Sequence, residues 1–200
     1  MKTKTLLAAA LFSIMLSACS STTPDSAYSD SMAAASNATV PDKDSRNFMD
    51  DSAMELYREV SQVYQTPYFA VGIPDGWNAV SFEDKELDSF ISVEKVDRSA
   101  LVTIRVAKTI TSSIEESCSH ARNGLEANGV EFSSDSSVAY GTCIIEGLEG
   151  EKNITLWMRQ YDDDQSNYSI NFTGSLDSAG EILGYLVGND KMMQLLVRPL

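Results

Sequence analysis

An α+β domain is the fold this sequence predicts, and three segments predict it. Leu101 to Lys108 alternates Val102, Ile104 and Val106 with Thr103 and Arg105, the period-two pattern of a strand. Ile114, Cys118, Ala121 and Leu125 are spaced four, three and four, the pattern of one helix face. Ile154 to Tyr161 and Tyr168 to Thr173 flank the polar run Asp162 to Asn167, as in a hairpin.

The elements follow in order. Leu56, Val60, Val63 and Tyr64 share a helical face after a cap at Asp51 or Ser52, so a short helix is expected until Thr66-Pro67. Tyr68 to Ile73 reads as a strand, and Pro74-Asp75-Gly76 as a turn, with Trp77 after it. Phe90 to Val96 and Leu101 to Lys108 are the next strands. Ser113-Ile114-Glu115-Glu116 has capping-box form and Asn128-Gly129 supplies the stop, which bounds the helix. Val138 to Glu146 reads as one strand, with Ala139, Gly141, Cys143 and Ile145 on one face. Leu176, Ile182, Leu183, Leu186 and Val187 suggest a second long helix, and Met192 to Val197 closes the domain. No internal repeat is evident.

The N-terminus sets the expected compartment. Lys2 and Lys4 precede an almost unbroken apolar run from Leu6 to Met15, too short to span a bilayer but suited to a signal peptide. Leu16-Ser17-Ala18-Cys19 resembles the lipobox of bacterial lipoproteins, which implies cleavage before Cys19 and lipidation of its thiol. Residues 1–18 are then a signal peptide, and 19–50 a lipidated cysteine and a tether rich in Ser, Ala, Thr and Asp. About thirty such residues average roughly 30 Å end to end. Residues 51–66 form a short helix or linker, and 67–200 the α+β domain. Ser20 favours the outer membrane where two membranes are present. No later stretch approaches the ~18 apolar residues of a spanning helix, so the lipid, with palmitate among its chains, is the expected membrane attachment.

Charge and cysteines narrow the function classes. The chain carries 15 Lys and Arg against 29 Asp and Glu, a formal net charge of −14. Loss of Lys2 and Lys4 with the leader takes this to −16. Such a surface repels phosphate backbones, so nucleic acid is not an expected partner. With Cys19 lipidated, Cys118 and Cys143 remain as an even pair in an oxidising compartment, and a disulfide between them is expected. It would close a loop of about 26 residues, worth roughly 3.5 kcal/mol in the chain-entropy model.

Catalytic and metal motifs are sparse. His120 is the single histidine and has Glu116 one turn before it. That reads as a surface ion pair, because zinc wants three or four ligands. One histidine beside an oxidised cysteine also leaves no base for Ser-His-Asp or Cys-His chemistry. Asp162-Asp163-Asp164-Gln165-Ser166-Asn167 lacks the glycine and the closing glutamate of a calcium loop, and reads as a solvated hairpin tip. No cofactor is expected. Tyr68, Trp77, Trp157 and Tyr161 are either core residues or anchors of an interaction surface.

Tyr68-Phe69-Ala70-Val71-Gly72-Ile73-Pro74-Asp75-Gly76-Trp77 resembles the opening strand and turn of Mog1/PsbP-like domains. Within that group the chain is most similar to DcrB-like bacterial lipoproteins, over roughly Tyr68 to Val197. The cysteine pair lies outside that pattern. The resemblance implies an antiparallel sheet with helices packed on it and a binding or assembly role. PsbP proteins attach to a photosystem, Mog1 binds a small GTPase, and some relatives act as secretion adaptors. It supplies no catalytic residues. The expected function is a non-enzymatic envelope lipoprotein with a protein partner. The alternatives are a metal-dependent enzyme built on Asp162 to Asp164, or a small-ligand carrier with a cavity between helix and sheet.

Overall fold

The structure, a computed structural model, describes residues 51–132 and 134–197. The leader, Cys19 and the tether lie outside the described residues, as do the expectations made for them. Four helices and ten strands follow in the order α1 (Asp51–Leu56), β1 (Gln62–Gln65), β2 (Phe69–Ile73), β3 (Trp77–Glu83), β4 (Asp88–Lys95), β5 (Leu101–Lys108), α2 (Ile114–Ala127), β6 (Ser137–Ala139), β7 (Thr142–Glu149), β8 (Lys152–Tyr161), β9 (Ser166–Thr173), α3 (Leu176–Leu183), β10 (Leu186–Gly188) and α4 (Asp190–Leu196). No helix among the described residues is long and apolar enough to cross a membrane.

Seven strands form one antiparallel sheet in the order β3-β4-β5-β9-β8-β7-β6, and β1-β2-β10 form a second. The register aligns the apolar positions of neighbouring strands. Ile104 stands opposite Ile91 on one side and Ile170 on the other, and Val102 opposite Val93 and Phe172. Their shared face meets Phe69, Val71 and Ile73 of β2, Ala179 and Ile182 of α3, and Met192 and Leu195 of α4. The opposite side of the sheet is covered differently. Its β7–β8 end carries an apolar cluster of Cys143, Ile145, Leu156 and Met158, and there α2 lies down with Ile114, Cys118, Ala121 and Leu125. Along β4, β5 and β9 the same side carries Ser92, Thr103, Arg105 and Asn171. The hydroxyls of Ser92 and Thr103 bond across strands at 2.9 Å, and Arg105 pairs with Asp88 at 2.8 Å.

The expected α2 is present with its cap. Ser113 accepts from the Glu116 amide, and Glu116 accepts from the amide and hydroxyl of Ser112, one residue earlier than a standard capping box would place it. The disulfide Cys118–Cys143 joins α2 to β7 with Cα atoms 5.7 Å apart.

Three elements differ from the sequence reading. The first helix stops early: Tyr57–Glu59 is a 3-10 turn, Val60 is extended, and Val63 and Tyr64 belong to β1. Strand pairing with β2 wins there because Gly72 lets the chain come close. A Cβ at 72 would sit 2.8 Å from Val60 Cγ2. The segment Val138 to Glu146 is two strands, since Tyr140 and Gly141, at φ +52° and +77°, make a two-residue hairpin turn. The helix at Leu176 ends at Leu183, and Leu186 and Val187 instead pair with Val71 and Ala70 of β2. That pairing satisfies backbone groups of β2 that a longer helix would leave buried and unbonded.

Candidate binding site

Trp77 and Trp157 are core residues, 4% and 6% exposed, so the interaction surface expected from them is not assembled. Large rings inside a sheet core bury more apolar area than any other side chain, and these two belong to the broad apolar cluster. Trp157 packs edge-on to Phe172 with centroids 5.3 Å apart. The Trp77 indole nitrogen donates to Glu181 of α3 at 2.9 Å. Lys95 donates to the other Glu181 oxygen at 2.7 Å and stands 5.7 Å from the Trp77 ring centroid. Hydrogen bonds from Lys95 and then Trp77 hold the Glu181 carboxyl below its usual range. The Ile-Pro-Asp-Gly-Trp segment therefore fastens β3 to α3.

Tyr68 and Tyr161 are half-buried. The Tyr68 hydroxyl accepts from the Leu87 amide at 2.8 Å, and its ring meets Tyr168 edge-on. The Tyr161 hydroxyl donates to the Lys191 carbonyl at 2.8 Å. Burial raises the Tyr161 pKa. Lys191 then reaches Asp163 at 2.6 Å and Asp164 at 2.7 Å. Burial disfavours the Asp164 charge, but bonds from Lys191 and Ser166 outweigh it and leave its pKa lowered. The acidic hairpin tip is thus a latch onto α4, with a lysine where a cation would sit. His120 lies 4.0 Å from Glu116, both exposed, as a surface pair. Among the described residues no group of three His, Cys, Asp or Glu side chains is arranged to hold a metal.

Tyr161 also belongs to a depression of about 320 Å³, open to solvent, where α2 begins beside the end of β8. Its lining takes Ser112, Ser113, Ile114 and Glu115 from the start of α2 and Arg159, Gln160 and Asp162 from the end of β8. Gly141 of the β6–β7 turn also lines it, and a Cβ there would stand 3.8 Å from the Arg159 guanidinium. Arg159 is half-buried, lies 5.7 Å from the Tyr161 ring centroid, and has no ion pair among the described residues. Gln160 is engaged below: its carbonyl accepts from Ser117 at 3.0 Å and from Thr111 at 3.2 Å, and its amide donates to Asp162 at 3.2 Å. Next to Gly141, Tyr140 is 80% exposed.

Of the residues singled out from sequence, Tyr161 and Asp162 line this depression; Cys118 and Cys143 act indirectly, by holding α2 against β7. Gly141 was read as a strand residue and Arg159 as one face of β8, neither as part of a site, and Tyr140 carried no reading of its own. The signal for the turn was present as Tyr-Gly between two apolar runs, but alternation carried through it and masked the break. The charge of Arg159 gave no signal, because its isolation depends on which strands neighbour β8.

No family model matches the sequence, and no curated protein does either. Nine solved chains match in a comparison of structures. One is a crystal structure of a protein from Bacteroides thetaiotaomicron, with 17% identity and a TM-score of 0.35, covering 62% of this chain. The chain spans 46% of that protein's length.

Proposed function

We propose that the protein is a lipid-anchored envelope lipoprotein with a non-enzymatic binding or assembly role, its domain of the Mog1/PsbP-like, DcrB-like kind. The observation that carries the reading is the ordered leader: two lysines, an apolar run, then Leu16-Ser17-Ala18-Cys19. Three acyl chains on one cysteine, at about 0.8 kcal/mol per buried CH₂, hold a domain firmly at a membrane. The tether lets it stand off the bilayer and reach a neighbouring protein. The Ser20 position favours the outer membrane.

The arrangement of polar groups supports binding over chemistry. Asp163 and Asp164, the acids best placed for metal-assisted catalysis, are neutralised by Lys191. His120 faces Glu116 on the surface. The depression beside α2 is open to solvent and mixed in its lining, which suits a surface contact better than an enclosed carrier cavity.

The test is metabolic labelling with an alkyne fatty acid, followed by in-cell crosslinking, for the natural chain and a Cys19→Ala variant. Label on the natural chain alone, with a stoichiometric envelope protein crosslinked only to it, is the expected result. Label on neither chain would remove the anchor from the account. Label without any crosslinked protein, under conditions that trap known neighbours, would remove the assembly role.

A further inference from the structure

We propose that the free edge of β3 is a docking site for an extended, basic segment of another protein, which adds to the large sheet as a further strand. That sheet is open, with β3 at one end and β6 at the other. A terminal strand leaves a row of backbone N–H and C=O groups without a neighbour, and an extended chain can take them up. The two ends are not alike. β6 is three residues long and runs straight into the Tyr140–Gly141 turn. β3 is seven residues long and has β4 as its one neighbour in the sheet. Among the described residues, no backbone group from Asn78 to Glu83 bonds anything beyond β4. Lys and Pro commonly guard such an edge, and the segment Asn78 to Glu83 has neither. The bulge between Ala79 and Ser81 bends the edge without closing it, since Ser81, Phe82 and Glu83 return to regular pairing with Ser92, Ile91 and Phe90. Val80 at the bulge is 52% exposed and Phe82 40%. The Phe82 ring meets Tyr64 of β1 with centroids 5.1 Å apart, so an added strand finds aromatic side chains beside the open backbone.

The charge of the occupant follows from the β3–β4 hairpin. Glu83, Asp84, Glu86, Asp88 and Glu94 stand on it against Lys85 and Lys95. Lys85 pairs with Glu83, Lys95 with Glu181 of α3, and Asp88 with Arg105. Asp84, Glu86 and Glu94 are left without an ion pair among the described residues. Glu94 stands opposite Asn78 and Glu83 opposite Phe90, on one side of the sheet, while Phe82 stands opposite Ile91 on the other. Side chains of a strand alternate between the two sides. The matching segment therefore alternates Lys or Arg with apolar residues. A second copy of this chain fits poorly, because it brings the same carboxylates and a net charge of −14 of its own. The inference rests on the protein-binding reading given above, and not on the lipid anchor.

The experiment uses the full lipidated chain in detergent micelles. Short synthetic peptides alternating Lys with Val, or Glu with Val, are titrated by fluorescence anisotropy, and amide hydrogen exchange locates the complex. The Lys-Val peptide is expected to bind at millimolar concentration or below and to protect amides of β3. Two further versions are N-methylated, one at its lysines and one at its valines, which blocks opposite edges of the strand. One should bind like the parent and the other about tenfold or more weakly. Val80→Lys, at an exposed position, should weaken the Lys-Val peptide about tenfold and narrow its advantage over the Glu-Val peptide. Val138→Lys on β6 should change neither. Absence of Lys-Val binding overturns the proposal, as do equal binding of the two methylated versions, binding unchanged in Val80→Lys, and protection at β6 in place of β3. Free-side β3 amides protected before any peptide is added would assign the edge to a segment of this chain, and a dimer lost in Val80→Lys would assign it to a second copy; each also overturns it. A protein crosslinked in cells, with no peptide bound at β3, would keep the binding role and move it off this edge.

Discussion

The two sides of the seven-stranded sheet are closed by different means. One is covered by β2, α3 and α4 over a continuous apolar layer in which Ile91, Val93, Val102, Ile104, Val106, Tyr168 and Ile170 are wholly buried. The other is covered only at its β7–β8 end by α2, a helix that fully buries just Ser117 and Cys118. Apolar area alone stabilises the first. The second has a small cluster and a covalent bond at its centre. A disulfide is most useful where the core is thinnest. The depression opens where the two sides meet: it takes Ser112, Ser113 and Glu115 from the start of α2, and Arg159 and Tyr161 from the face of β8 that looks to the broad side.

The largest expected effect breaks the broad side. Ile104→Ala should cost about 2–5 kcal/mol in a urea titration, since the wholly buried side chain sits between Ile91 and Ile170 with no slack. Next, replacing both Cys118 and Cys143 by Ala should cost about 2–4 kcal/mol in the same titration. A loss well under that range would mean the apolar face of α2 holds the helix unaided. Tyr140→Asn should act in the other direction. It puts an Asn-Gly pair on a turn with both central residues at positive φ, and should raise stability by about 0.5–1 kcal/mol.

The smallest effect is in pH dependence. Glu181, Glu116 and Asp164 have folded pKa values below the ordinary 4.5 for Glu and 3.8 for Asp. Their contribution is present above those values and is lost as pH falls through the lower folded ones. Glu181→Gln removes one such group, so its urea midpoint should fall less than that of the natural chain between neutral and acid pH. Lys191 is shifted the opposite way, since its bonds to Asp163 and Asp164 outweigh burial, and its contribution fades only as pH rises above the ordinary 10.5.

Where one physical signal acted alone, the sequence was readable. β5 matched its expected bounds because alternation there is unbroken, and α2 because a cap, a face and a stop agree. The disulfide was legible because compartment and helix periodicity pointed to the same pair. Errors arose where long-range pairing overrode local pattern. Val63, Tyr64, Leu186 and Val187 all look helical by spacing, and all became edge partners of β2. β3 was passed over beyond Trp77 because Val80 and Phe82 are exposed on an edge strand whose register shifts between Ala79 and Ser81. The candidate site was mostly illegible, being the junction of a helix start, a hairpin turn and a strand end that no stretch of sequence contains together.

The comparison of the two sides is tested most directly by hydrogen exchange on the natural chain and the Cys118→Ala/Cys143→Ala variant. The account predicts that amides of α2 and the β6–β7 turn lose protection in the variant, while β5, β9 and α3 keep theirs. Protection falling equally across both sides, or unchanged in α2, would contradict it.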